Sequence, residues 1–196
     1  MLRFSLWALA AMLLFGLVFA LLPTSPDVAA SGVTLQDVKL RLYPAQDQQA
    51  EWRFEAKTIS VDPQKGDTSL EQLGQGARWV KDKSGTLQED LTIQASQLII
   101  DKEDNLHANK ATLYTLADCS TFTLSSSAEQ QVVINQQGGY SAPRGEISSP
   151  IQSGEFLNVS SNFDFSNFRF DEQLPGAQFA SVASQKCVDG KLQPKE

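Results

Sequence analysis

From Ala30 onward, apolar and polar residues alternate with a period of two. Val38-x-Leu40-x-Leu42, Trp52-x-Phe54-x-Ala56, Leu91-x-Ile93-x-Ala95 and Phe163-x-Phe165 each put their apolar side chains on one face. That period predicts strands of a sheet with one buried face. Residues that favour turns separate them: Asp62 to Asp67, Lys81 to Gly85, Asp101 to Asn105, Gln136 to Gly139 and Ser141 to Gly145. No stretch after Ala30 carries an apolar stripe of helical period. Leu70 to Ala77 reads either way until Gly74 and Gly76, which weaken a helix.

Two stretches share an interrupted alternation. Trp52 to Val61 and Leu91 to Ile100 both place apolar residues at positions one, three, eight and ten, and alanine at five. In a flat strand Ile59 and Val61 would face away from Trp52 and Phe54. A bulge inserts one residue, bends the strand and returns both halves to one side. A strand that crosses from one sheet to another needs the same bend. A shorter copy is Leu106-x-Ala108-x-x-Ala111-x-Leu113. Trp52 and Leu91 lie 39 residues apart, a spacing that suits a repeated sheet unit.

The amino terminus follows another pattern. Phe4 to Leu22 is an uncharged apolar run after Arg3, closed by Pro23 and Pro26. As a helix it would be about 28 Å long, close to the thickness of a hydrocarbon core. Arg3 then stays on the cytoplasmic side and the rest of the chain is exported. A cleaved signal peptide is the other reading, with Val28-Ala29-Ala30 as its cleavage site, but its apolar region is shorter. The predicted organisation is an anchor at 4–22, a linker at 23–32, an all-β domain at 33–190 and a disordered tail at 191–196.

Charge and cysteine content narrow the function classes. The net charge is -7, with 16 basic and 23 acidic residues, which opposes binding to nucleic acid, where basic groups must displace counterions. The only two cysteines, Cys119 and Cys187, lie in the exported part and are expected to form a disulfide, with two buried thiols as the alternative. With one distant histidine they lack the spacing of a metal site, and no cofactor motif is present. His107, the single histidine, lies between Leu106 and Ala108 and should face away from the apolar side. Asp101-Lys-Glu-Asp-Asn105 hints at a calcium loop, but Leu106 replaces the needed glycine and Thr112 the needed glutamate. No nucleophile elbow or phosphate loop occurs, so the chain does not read as an enzyme.

The stretch W-R-F-E-A-K-T-I-S-V-D, with L-T-I-Q-A-S-Q-L-I-I-D-K-E-D-N-L-H-A-N-K-A-T-L-Y, resembles the repeats of the lipopolysaccharide-export β-jellyroll proteins (the OstA/LptA-like family). The single anchor in front resembles the LptC type in particular. The resemblance covers roughly Val33 to Thr115. It implies a curved β-jellyroll or sandwich of repeated antiparallel strands, preceded by one transmembrane helix in the inner membrane. The bulk of the chain would lie in the periplasm. It also implies that lipopolysaccharide or another envelope lipid passes from an inner-membrane ATP-driven (ABC) transporter, through this domain, to a periplasmic jellyroll partner. Lys110 departs from the family pattern, which often has glycine there. Pro143 to Gly190 is unaccounted for, as a second small sheet, an extension of the first or a docking surface.

An acyl chain needs an apolar trough. The candidate lining is Trp52, Phe54, Ile59, Val61, Leu91, Ile93, Leu98 and Ile100. The bland alternative is that these residues pack against one another as an ordinary core. The acidic surface would repel phosphorylated headgroups, so binding would rest on acyl burial at about 0.8 kcal/mol per methylene. Val38 to Tyr43 and Phe163 to Phe170 are candidate open edges for pairing with a partner's strand; both could equally be interior. A structural or adhesive envelope β-sandwich without lipid remains the alternative function.

Overall fold

The structure is a computed structural model. It describes residues 32–194 except 46, 137, 165, 181–184 and 189, together with Met12. The expected anchor and linker therefore lie outside the described residues, apart from Met12 and Gly32. Among the described residues no helix is long and apolar enough to cross a membrane.

Gly32 to Glu196 forms one compact unit, and it is all-β. Its strands are β1 (Val33–Leu42), β2 (Ala50–Asp62), β3 (Asp67–Lys81), β4 (Leu87–Ala95), β5 (Gln97–Ile100), β6 (Asn105–Ala108), β7 (Lys110–Thr115), β8 (Ser120–Ser125), β9 (Val132–Asn135), β10 (Gly139–Ser148), β11 (Gln152–Asn162), β12 (Glu172–Gln173), β13 (Gln178–Phe179), β14 (Gln185–Val188) and β15 (Lys191–Pro194).

The long strands are shared between two arms. β3 pairs with β4 through Gly76 to Lys81 and with β5 through Thr68 to Glu71. β10 pairs with β8 through Arg144 to Ser148 and with β9 through Gly139 to Ser141. One arm holds β4, β7 and β8; the other holds β5, β6 and β9. β3 and β10 bridge them, and the circuit β3-β4-β7-β8-β10-β9-β6-β5 closes as an eight-strand barrel. Along the chain, the same pairings make an antiparallel meander. β1, β2, β3, β4 with β5, β6 with β7, β8 with β9, β10 and β11 each cross once from arm to arm.

A seam marks the crossings. The Asp37–Lys57 pair is missing from an otherwise continuous β1–β2 register. Between β2 and β3, Glu55 faces Gln75 while Ala56 faces Leu73, so Gly74 is an extra residue. Ser96 separates β4 from β5, and Asn109 separates β6 from β7. The Pro143–Asn158 pair is missing between β10 and β11. Asp37, Gln72 and Asn158 have φ of 51°, 52° and 50°, the left-handed region that Asp and Asn tolerate better than other non-glycine residues such as Gln. Backbone bonds from Gln72 to Ser96 and from Ser126 to Asn109 keep the seam satisfied.

The seam explains the interrupted alternation. Trp52, Phe54 and Ala56 are buried before it and Ile59 after it; Leu91 and Ile93 before, Leu98 and Ile100 after. Leu106, Ala108, Ala111 and Leu113 repeat the scheme, and so do Tyr140, Ala142 and Ile147. A one-residue slip at each crossing keeps the apolar face inward on both arms. The bulge and the change of arm are one event.

The two inner faces meet in a single core. Trp52 on one arm lies 6.0 Å from Phe163, which follows β11 on the other. Phe122 and Tyr140 meet across the same gap at 5.0 Å. Each large side chain so buried contributes roughly 1.5–3 kcal/mol.

Several expectations need correction. Ser141 to Gly145 is not a turn but part of β10, because Pro143, which has no N–H, sits where the ladder already skips a pair. Phe163 does not start a strand: Asp164 Oδ1 accepts bonds from the Ser166 N–H and hydroxyl, a local turn that ends the ladder. Phe165 lies outside the described residues. Lys191 to Pro194, expected as disordered tail, forms β15 and pairs with β14 in a second small sheet. Leu70 to Ala77 lies within β3, in line with the reading that Gly74 and Gly76 weaken a helix there.

Cys119 and Cys187 form the disulfide, with Cα atoms 5.5 Å apart. It fastens β14 to the turn between β7 and β8. The Tyr114 hydroxyl donates to the Gly190 carbonyl at 2.6 Å beside it.

Candidate functional site

Seven of the eight predicted lining residues are together: Trp52, Phe54, Ile59, Leu91, Ile93, Leu98 and Ile100 belong to the one core cluster. Val61 is 37% exposed and stands apart. It pairs with exposed Val33 on one side and half-buried Thr68 on the other. Burial along that cross-strand row increases only toward Ile100, away from the β1 edge.

Away from the seam, the core carries polar groups that the alternation did not disclose. Trp52, Arg78, Leu91 and Thr115 face one another across β2, β3, β4 and β7. Arg78 is buried within this row. Its Nη1 lies 2.5 Å from Asp90 Oδ2 and its Nη2 3.0 Å from Asp47 Oδ2. Its guanidinium sits 4.9 Å from the centre of the Phe163 ring, a cation–π contact. The register shift after Arg78 makes Asp90 the extra residue of β4, beside Arg78.

The row is only partly satisfied. Among the described residues, Trp52 Nε1, Arg78 Nε, Asp90 Oδ1 nearby and both amide atoms of buried Gln136 have no hydrogen-bond partner. Burial pushes the Asp90 carboxyl above its ordinary value, and the Arg78 charge only partly opposes this. Burial likewise pushes the Tyr140 phenol far up. On the outer side, the Glu51 carboxylate holds Arg53 at 2.7 Å and Arg41 at 3.6 Å, and Arg53 stacks over Trp79 at 4.3 Å.

The sign of the Asp90 effect is opposite to that of most native carboxylates. Its folded form keeps its proton to higher pH than the unfolded chain does. Its contribution to stability is therefore full below the unfolded value and is lost as pH rises through the folded one. Asp90→Asn should remove this loss, so its unfolding free energy should gain on that of the unaltered chain across the carboxylate range. Urea unfolding at a series of pH values measures the two curves, and parallel curves would refute the assignment.

His107 is half-buried, with Nε2 2.7 Å from Asp101 Oδ2. Partial burial raises the Asp101 value, but hydrogen bonds from His107, Asn105 and Glu103 outweigh it and hold the carboxyl below the usual range. This is a tight turn with its acceptor fully used.

Of the two candidate edges, β1 pairs only with β2 among the described residues. Phe163 to Phe170 leads into a segment that covers the outer edge of β11. Four features escaped sequence reading: Arg78 with its carboxylates, Gln136, Tyr140, and the aromatic cluster on Phe156. Arg78 offered a weak signal, as a charge inside Gly76-Ala-Arg-Trp-Val80.

No protein-family model matches the chain, and a search of curated proteins finds no match to it.

Proposed function

We propose that this chain is a membrane-anchored periplasmic β-jellyroll that binds lipid. In this reading it relays lipopolysaccharide or another envelope lipid from an inner-membrane ABC transporter to a periplasmic jellyroll partner. The observation that carries the reading is the seam. An apolar inner face is kept on both arms by β2, β4 with β5, β6 with β7 and β10, which a sheet needs if acyl chains are to lie along it. Trp52, Phe54, Ile59, Leu91, Ile93, Leu98 and Ile100 would touch the acyl chains, and Val61 would stand at the rim. Entry requires the arms to part opposite the seam, where Phe163 bridges Trp52 and Arg78. The unpaired polar atoms there suit the boundary between a wet headgroup and a dry interior. The open edge of β1 would take a partner strand by backbone pairing.

One observation favours a second reading. The same apolar side chains are already buried against one another, as in a structural or adhesive envelope domain without lipid. A photo-cross-linking amino acid at Phe54 or Ile93, in the full-length chain within its own cells, separates the two. Lipid adducts are expected. Well-expressed, folded protein without adducts would favour the structural domain.

A further inference from the structure

The two ends of the meander are treated differently. At one end β1 offers its outer edge, with Val33 57% and Leu35 48% exposed. At the other, the chain covers its own edge. Ser160 and Arg169 exchange both backbone bonds, at 2.9 and 2.8 Å. The N–H groups of Asp171, Leu174 and Ala180 then donate to Leu157, Glu155 and Ile151. Only two ladders of two residues, β12 and β13, add to these. Between them Pro175-Gly-Ala177 leaves the ladder, with Gly176 at φ 98°. Phe170, Phe168 and Phe179 rest on Phe156 at 5.0, 5.5 and 6.3 Å. Further along, the Cys119–Cys187 bridge holds the chain end to the body.

The covered edge matches the open one. β1 has 10 residues and β11 has 11. β1 bends at Asp37 and β11 at Asn158, with φ of 51° and 50°. They cross the seam in opposite directions, so β1 of a second copy would lie antiparallel on β11 and continue the meander across the same bend. Their charges are complementary on the arm that holds β4. There β1 carries exposed Lys39 and Arg41, held by Glu55 and Glu51 of β2, while β11 carries Glu155, held by Arg144 of β10; docking would add to these pairs rather than fill an empty one.

We propose that residues 168–180 are a self-blocking strap. It is held by the aromatic cluster and the disulfide, and it occupies the edge on which β1 of a second copy would dock. A short irregular covering strand prevents edge-to-edge pairing, and here it would prevent an open head-to-tail array. The inference does not depend on lipid binding.

Two variants of the full-length chain release the strap from different points: Phe170→Ser with Phe179→Ser, and Cys119→Ser with Cys187→Ser. Sedimentation gives the mass as a function of concentration. Hydrogen exchange at the amides of Arg169, Asp171 and Leu174 reports whether the strap is open. The unaltered chain should be monomeric with these amides protected. Both variants should exchange faster there and self-associate at least about tenfold more tightly, a difference of roughly 1.4 kcal/mol. Adding Lys39→Glu and Arg41→Glu should return them to monomer. Variants that open the strap and stay monomeric would overturn the proposal, as would a strap that stays protected in both.

Discussion

Trp52→Ala is expected to lower the unfolding free energy by about 3–5 kcal/mol, the cost of truncating a large buried aromatic side chain. Trp52 is fully buried, stacks on Phe54 at 5.8 Å and meets Phe163 edge-on across the two arms. Its loss leaves a cavity where the arms touch, which the bent strands can fill only by moving together. Val61→Ala, nine residues on and once grouped with it, should change stability by no more than about 0.5 kcal/mol, as for an exposed site. Urea unfolding of the two variants measures the contrast. Equal effects would mean that the inner face has been misplaced.

Arg78→Met should be the second large effect, about 2–4 kcal/mol destabilising. Breaking a buried ion pair leaves the partner charge uncompensated, at about 3–5 kcal/mol. The figure is discounted here because Asp90 is 35% exposed and water screens part of the field. Adding Asp90→Asn and Asp47→Asn should recover much of the loss, since methionine keeps the packing against Phe163. A double-mutant cycle reads the coupling directly. A cycle without coupling would mean that the guanidinium contributes only by packing.

The seam was legible in the sequence because a phase slip leaves a mark on any strand that must keep one face dry. Trp52 to Ile59 and Leu91 to Ile100 carry that mark in their apolar residues alone. Pro143 misled for the same physical reason that it is tolerated: a residue without an N–H signals a turn locally and sits equally well where a ladder skips a pair. Val61 misled because alternation assigns a face and not a depth. The Arg78 cluster needs three carboxylate and aromatic partners from distant parts of the chain, Asp47, Asp90 and Phe163, which no local pattern brings together. The strap was invisible for a similar reason. Phe168 and Phe170 read as part of a candidate edge strand, whereas with Phe179 they share Phe156 as their partner. The disulfide was legible from the even cysteine count together with the expected export, and its consequence for the β11 edge was not.

The most direct test is native mass spectrometry of the full-length chain, purified gently from its own cells. The account predicts a bound amphiphile, present at a defined ratio and lost when the arms are unfolded. A bare protein mass that stays unchanged after envelope lipids are added would contradict it and leave the inner faces as a closed core.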